Sequence, residues 1–166
     1  MAVVATSGSR IVTGLVSTPS VLADPGEGGG MVRKWVETIE TSAADSGTST
    51  YHMARLPSSA RIFGSSTISH DALGATTTAI AIGLYNTSSR VDFTASTTAL
   101  NSAIVASTAG TKPFLSDRAV WGKRLWEYTA ATADPKCDMD VKLLLDAVHL
   151  SSGAGTITVE IDYAFD

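Results

Sequence analysis

The end of the chain alternates between apolar and polar or small side chains over ten consecutive residues. In an extended strand, such alternation places every second side chain on the same face. One apolar face and one polar face are typical of an antiparallel sheet that covers a core on one side. The apolar face holds Ile157, Val159, Ile161, Tyr163 and Phe165, and the other face holds Thr156, Thr158, Glu160, Asp162 and Ala164.

Residues 78–85 repeat this period with an unusual second face. Ile80, Ile82 and Leu84 alternate with Ala79, Ala81 and Gly83. A face of such small residues allows another layer to approach closely, either within the chain or at a subunit contact. We expect the contact to lie within the chain.

Further β-rich runs at 32–41 and 50–56 are joined by turn-forming residues, which predicts a hairpin. Residues 140–148 fit both a strand and a helical stripe, and we favour a strand. A Gly-rich turn at 151–155 then predicts a C-terminal hairpin with the final strand. Residues 60–69 predict one more strand, which the turn at 71–74 closes.

Two short helices are predicted among the strands. One covers 97–106, with Leu100 and Ile104 facing inward, and the other begins after Ser116 and places Trp121 and Leu125 on one face. Seven or eight strands without alternating helices indicate an all-β fold, an antiparallel β-sandwich formed by residues 31–166. The pattern itself does not give the order of the strands.

Residues 1–30 differ from the rest of the chain. Pro19, Pro25 and the Gly-rich run at 26–30 separate a few apolar residues, which predicts an extended N-terminal arm. The apolar patch at 11–16 is too short and interrupted for a membrane span or a signal sequence. Such an arm either has no fixed structure or lies along a neighbouring subunit.

Composition excludes several function classes. The net charge of −4 and the scattered Lys and Arg residues give no basic stripe, so we expect no nucleic-acid binding. Cys137 is the single cysteine, and the three histidines are not spaced as metal ligands, so no disulfide, metal or other cofactor is expected. The adjacent His70 and Asp71 are interpreted as a structural pair at a turn, because neighbours on a strand point to opposite faces.

No catalytic residues are predicted. Ser and Thr are abundant, but the sequence lacks the nucleophile elbow of α/β-hydrolases. Two carboxylate pairs share a strand face, a spacing that glycosidases or cation sites can use, but solvated strand faces look the same. These pairs are Asp138 with Asp140 and Glu160 with Asp162.

Several short segments together resemble the small structural proteins of tailed-phage head gene clusters. The resemblance runs over about residues 50 to 165 and depends on the order of the segments, since each is weak alone. The segments are ARLPSSARI at 54–62, DALG at 71–74, IAIGLY at 80–85, RLWE at 124–127, and the pairs Asp134-Pro135, Asp140-Val141 and Gly155-Thr156.

The resemblance implies a jelly-roll sandwich that coats or cements the outside of a capsid without catalysis. Its partners would be the phage major capsid protein and copies of itself, as a homodimer or homotrimer, and neither nucleic acid nor a membrane. It would be located on the capsid surface of the virion, after assembly in the host cytoplasm. The Gly-rich arm departs from the family pattern, which leaves the contact geometry open. We expect interface contacts at Val12, Leu15, Val16, Trp35 and Trp126.

Two other functions remain open from the sequence. A receptor- or carbohydrate-binding sandwich of a tail or host-surface apparatus would use an exposed tryptophan such as Trp126, together with loop carboxylates. A β-sandwich hydrolase would use the Asp or Glu pairs, but no spacing specifies an acid and a base. Binding to a glycan array and a screen with glycoside substrates would separate these from the structural role.

Overall fold

The computed structural model describes residues 31–42, 49–74, 79–87, 92–145 and 154–165. The predicted arm, including Val12, Leu15 and Val16, lies outside these residues. Within them the chain forms nine strands and two short 3-10 helices. The strands are β1 (Arg33–Thr41), β2 (Thr50–Pro57), β3 (Arg61–Ile62), β4 (Thr67–His70), β5 (Ala79–Asn86), β6 (Ser96–Val105), β7 (Gly110–Pro113), β8 (Asp138–Leu145) and β9 (Gly155–Ala164), and the helices are Arg118–Val120 and Leu125–Tyr128.

The strands form two antiparallel sheets, which confirms the predicted β-sandwich. The first sheet has the order β1-β9-β4-β7, with β3 also paired to β9, and the second has the order β2-β8-β5-β6. Apart from the two-residue β3, the strand pairs are nested along the chain: β1 with β9, β2 with β8, β4 with β7 and β5 with β6. Nested pairs divided between two sheets are the jelly-roll arrangement.

The core lies between the two sheets and follows the predicted alternation. Ile157, Val159 and Ile161 of β9 are fully buried, as are Ile80 and Ile82 of β5. Large side chains from both sheets meet there, and their burial removes apolar surface from water. The most completely buried include Phe114, Met53, Leu56, Ile62, Ile68, Leu73, Leu84, Leu100, Leu125 and Met139.

At Gly83 the small face of β5 makes a close contact within the chain, as predicted, but with the neighbouring strand β6 of the same sheet and not with another layer. A Cβ atom at Gly83 would lie 2.6 Å from the carbonyl oxygen of Ser96 and 2.7 Å from backbone atoms of Thr97. The pairing of β5 with β6 shifts register twice between Ile80 and Leu84. The backbone of β6 therefore approaches β5 at a distance that only glycine allows.

Both predicted hairpins are wrong. The runs at 32–41 and 50–56 become β1 and β2, but β1 pairs with β9 in the first sheet and β2 pairs with β8 in the second. The strand predicted at 140–148 is β8, and it also lies in the sheet opposite β9. In a jelly roll most connections cross from one sheet to the other, so turn residues between two strands do not imply that the strands pair.

The helix predicted at 97–106 is wrong, because these residues form β6. The four-residue spacing of Leu100 and Ile104 suggested a helix, whereas pairing with β5 satisfies backbone hydrogen bonds that β5 would otherwise lack. The helix predicted after Ser116 is reduced to the two 3-10 turns. The strand predicted at 60–69 is divided into β3 and β4, and both pair with β9.

Candidate interaction surfaces

The outer face of the first sheet carries a row of hydroxyl side chains across all four of its main strands. Thr38 of β1 lies opposite Thr158 of β9, which lies opposite Ser69 of β4, which lies opposite Thr111 of β7. The Oγ1 atoms of Thr38 and Thr158 are 3.0 Å apart, and Ser69 Oγ is 2.8 Å from Thr111 Oγ1. The hydroxyls of each pair therefore hold one another in place, and the four side chains of this row carry no charge.

Charged side chains lie beside this row at the start of β1. Lys34 Nζ donates a hydrogen bond of 2.8 Å to Glu160 Oε2 and lies 3.6 Å from Asp162 Oδ1. The hydrogen bond with Glu160 and the charge of Asp162 raise the pKa of Lys34. Asp162 Oδ2 also accepts a hydrogen bond from Ser65. The pair of Glu160 and Asp162 therefore has the structural setting of an ordinary strand surface.

The other carboxylate pair does not lie on a solvated face as expected, because Asp140 is buried. Its side chain is 4% exposed on the outer side of the second sheet, beside basic residues of β2 and β8. Arg55 Nε and Nη2 donate hydrogen bonds of 2.7 and 3.3 Å to its two oxygens. His52 Nε2 lies 3.2 Å and Lys142 Nζ 3.7 Å from the same carboxylate.

Two opposing effects act on this carboxylate. Burial by itself raises the pKa of Asp140, because a desolvated charge is unfavourable. The hydrogen bonds from Arg55, with the electrostatic contributions of His52, Arg55 and Lys142, prevail and hold the pKa below its ordinary value of 3.8. Asp140 therefore stays ionised near neutral pH and links β2 to β8, which is a structural role.

The adjacent His70 and Asp71 are a structural pair, as predicted. His70 is 5% exposed, and its Nδ1 lies 2.9 Å from the backbone carbonyl oxygen of Asp71. The carboxylate of Asp71 accepts a hydrogen bond from the backbone N–H of Thr156. Asp71 thus fastens the end of β4 to the start of β9, and the two side chains do not form a base and its orienting acid.

The three tryptophans have different environments. Trp35 on β1 packs against the core, and its Nε1 donates a hydrogen bond of 2.8 Å to the carbonyl oxygen of Met53 on β2. Trp126 is partly buried against the core. Trp121 is the exposed one at 42%, with the Arg118 guanidinium 5.6 Å from its ring centre. The sequence predicted the reverse, with Trp121 on the inward face beside Leu125 and Trp126 as the exposed tryptophan, and this prediction is wrong because two 3-10 turns replace the expected helix.

Grooves follow the margins of the sandwich. A groove of about 470 Å³ is bordered by Ser58, Asp134 and Asp138, and another of about 410 Å³ runs between β6 and β7. Within the described residues, no group of three or more His, Cys, Asp or Glu side chains is arranged to hold a metal ion. Among the same residues, no helix is both long enough and apolar enough to span a bilayer.

The groove between β6 and β7 was missed by the sequence analysis. Its wall on β6 includes Ala103, Ile104 and Val105, and its wall on β7 includes Lys112 and Pro113. Val105 is 55% exposed, which is high for a large apolar side chain. The groove was missed because residues 97–106 were interpreted as a helix. A groove of this kind borders the edge of a strand, and a helix has no such edge.

Solved structures with the same fold come from phage capsids. A chain of the cyanophage Pam1 capsid asymmetric unit matches with a TM-score of 0.58 at 19% identity, covering 90% of this chain and 96% of that one. A chain of the capsid of Ralstonia phage GP4 matches with a TM-score of 0.61 at 16% identity, covering 82% and 86%. No family model and no curated protein matches the sequence. The chain therefore shares its fold with chains of phage capsid structures.

Proposed function

We propose that this chain is a non-enzymatic structural protein of a tailed-phage virion that binds the outside of the capsid. In this role it decorates or cements subunits of the major capsid protein. The observation that carries the proposal is the fold shared with a chain of the Pam1 capsid over nearly the full length of both chains. The ordered segments between residues 54 and 156 that resemble phage head proteins support the same function.

The surface of the sandwich is suited to binding of this kind. The hydroxyl row that includes Thr38 and Thr158 consists of uncharged side chains, and hydroxyls are less costly to remove from water than ionised groups. Cementing needs contact area across subunit boundaries, and repeated copies on a shell multiply a modest affinity. No chemical step is required of any residue.

The arm of residues 1–30 and a homodimer or homotrimer complete the proposal. Val12, Leu15 and Val16 are apolar residues of the arm that would find partners on a neighbouring subunit. Trp35 and Trp126 remain predictions for the contact surface of the folded domain. Most soluble oligomers are symmetric homo-oligomers, and the twofold dimer is the commonest of them.

The test is cosedimentation with capsids that lack the protein. Heads assembled from the major capsid protein of the same phage are incubated with the purified full chain and pelleted through a cushion. We expect the full chain to pellet with heads to a saturating ratio, and light scattering of the free protein to give a dimer or trimer. A chain that stays in the supernatant at all concentrations contradicts the proposal.

A variant without residues 1–30 separates the domain from the arm. We expect it to remain folded, because the described core draws on residues 53–164, and to lose binding to heads. A matched control replaces residues 2–7, which precede the apolar patch, with a Gly/Ser sequence of equal length. Full binding by the truncated chain would remove the arm from the mechanism.

A further inference from the structure

The edge strands of the two sheets differ in how they are protected against pairing with another chain. An open edge presents unpaired backbone N–H and C=O groups, and natural proteins protect it with charges, prolines, bulges or short strands. Among the described residues, β1 and β7 end the first sheet, and β2 and β6 end the second. These four strands differ in how many of the protective features they carry.

Three of the edges carry such protection. β1 has four charged residues among nine. β2 has a register shift between His52 and Ala54, carries Arg55 and ends at Pro57. β7 is four residues long and includes Lys112 and Pro113. Each of these features opposes the addition of another strand.

β6 lacks most of this protection. Its sequence STTALNSAIV has ten residues with no charge and no proline. Its two register shifts against β5 precede Ile104, and it regains regular pairing at Ile104 and Val105. This last part of β6 borders the groove of about 410 Å³, where Val105 is 55% exposed. Asn101 forms the base of the groove, with its Nδ2 3.4 Å from the carbonyl oxygens of Pro113 and Phe114.

The chain itself contains a segment that fits this groove. Residues 11–16 are IVTGLV, uncharged, and include four large aliphatic side chains. Six extended residues span about 20 Å, and the groove wall on β6 runs over residues 101–105, with a register shift between Asn101 and Ile104. The aliphatic side chains of the segment match the apolar wall that Ile104 and Val105 provide, and Gly14 allows close approach of two backbones.

The position of the arm favours a neighbouring copy as the donor. The arm enters the fold at β1, which lies beside β2 at one side of the sandwich, and the groove between β6 and β7 lies at the opposite side. A donor on one side and an acceptor on the other make a heterologous contact, which closes into a ring when the rotation between copies permits. The intervening residues 17–32 can extend about 50 Å, which is enough to reach the next copy.

We infer that residues 11–16 of one copy dock in extended form along the β6 edge, in the groove between β6 and β7 of a neighbouring copy. The inference rests on the proposed function, because a shell places copies side by side, and it identifies what the arm binds. The apolar side chains of the arm leave water in the groove, while its backbone lies along β6 between Leu100 and Ala106, whose carbonyl oxygens already accept hydrogen bonds from Ser116 and Leu73. The result is a head-to-tail oligomer in which each arm links two domains.

The test uses mixed single-cysteine variants in a Cys137→Ser background of the full chain. A disulfide between Val12→Cys on one molecule and Ala103→Cys on another forms only if the arm reaches a neighbouring groove. The matched control pairs Val12→Cys with Val36→Cys on the exposed β1 edge. We expect the Ala103 pair to cross-link about tenfold faster or more, because docking raises the local concentration of the two thiols.

A second pair of variants tests the groove without cysteines. Val105 and Val36 are both 55% exposed, so Val105→Lys and Val36→Lys introduce the same charge at equally exposed positions. We expect Val105→Lys to convert the oligomer to monomer and Val36→Lys to leave it unchanged. Three results would each overturn the inference. The first is equal cross-linking at both edges, and the second is an oligomer unaffected by Val105→Lys. The third is a cross-link that forms within a single molecule carrying both Val12→Cys and Ala103→Cys but not between two molecules.

Running both assays with and without heads separates this inference from the proposed function. Cross-linking at Ala103 in solution, without pelleting on heads, supports arm docking and contradicts the capsid role. Pelleting with heads, without cross-linking at Ala103 on or off the shell, supports the capsid role and overturns arm docking.

Discussion

Arg55 and Asp140 lie directly opposite each other on β2 and β8 and are joined by two hydrogen bonds of 2.7 and 3.3 Å. The residues are 85 positions apart in the chain. The two turn segments that predicted hairpins, between β1 and β2 and between β8 and β9, connect strands of different sheets. The pair therefore helps to fix which strands are neighbours in the second sheet. Removing one partner would leave the other with an unmatched charge.

The pH dependence of stability follows from this pair. The pKa of Asp140 in the fold lies below its ordinary value of 3.8. Its contribution is therefore complete above that ordinary value and is lost as the pH falls through the lower value in the fold. We expect Asp140→Asn to lower the free energy of unfolding at pH 7 by about 1.5–3 kcal/mol, the range for hydrogen bonds to charged groups.

Urea denaturation at several pH values checks this expectation. The difference between wild type and Asp140→Asn should shrink as the pH falls below 4. Asp138→Asn is the control, because Asp138 is exposed on the same strand. A difference that persists unchanged at pH 2.5 would show that Asp140 contributes through its shape and not through its charge.

Trp35 links the two sheets, and its substitution tests that link. Trp35→Phe removes the hydrogen bond from Nε1 to the Met53 carbonyl oxygen while keeping an aromatic ring against the core. We expect the free energy of unfolding to fall by about 1 kcal/mol or slightly more, the usual worth of such a bond. Trp121→Phe at the exposed position should change it by less than about 0.5 kcal/mol. Equal effects in chemical denaturation would argue against the role of Trp35.

The sequence predicted best the strands in which apolar and polar residues alternate over many positions and in which one face covers the core. Ile157, Val159 and Ile161 are all buried as the alternation in β9 predicts. β6 was misread because Leu100 and Ile104 are spaced as on a helix, while the deciding factor was backbone pairing with β5, which lies outside the segment that shows this spacing. The local pattern of apolar residues indicates which side chains are buried, but it does not indicate which strands pair through backbone hydrogen bonds.

The candidate surfaces show the same limit. The sequence placed Asp138 and Asp140 on one face, but the burial of Asp140 depends on Arg55 and His52 from β2. The groove between β6 and β7 depends on the meeting of two edges from different sheets. Both features depend on the strand order, which the local residue pattern of a single sequence does not show.

Tyr128 gives a prediction at alkaline pH. Burial, and to a lesser degree the charge of Glu127, raise the pKa of Tyr128 to about 12 from its ordinary value of 10.0. The neutral phenol donates a hydrogen bond of 2.6 Å to the carbonyl oxygen of Val120. Its stabilisation is complete below pH 10 and is lost as the pH rises toward 12. Absorbance titration at 295 nm should show late ionisation of Tyr128, beside that of Tyr85, whose pKa burial also raises, and Tyr128→Phe should remove only the Tyr128 component.

Gly83 tests the close contact between β5 and β6. In Gly83→Ala, the new methyl group would lie 2.6 Å from the Ser96 carbonyl oxygen, so the backbone of β6 would have to move. We expect a loss of about 1–3 kcal/mol in the free energy of unfolding, as for other overpacked positions. Gly110→Ala on β7 is the matched control, because a Cβ atom there meets nothing within 4 Å. Because a displaced β6 would also distort the groove, Gly83→Ala should weaken self-association in light scattering, whereas Gly110→Ala should not. Equal stability of the two variants in urea denaturation would contradict the close approach of β6.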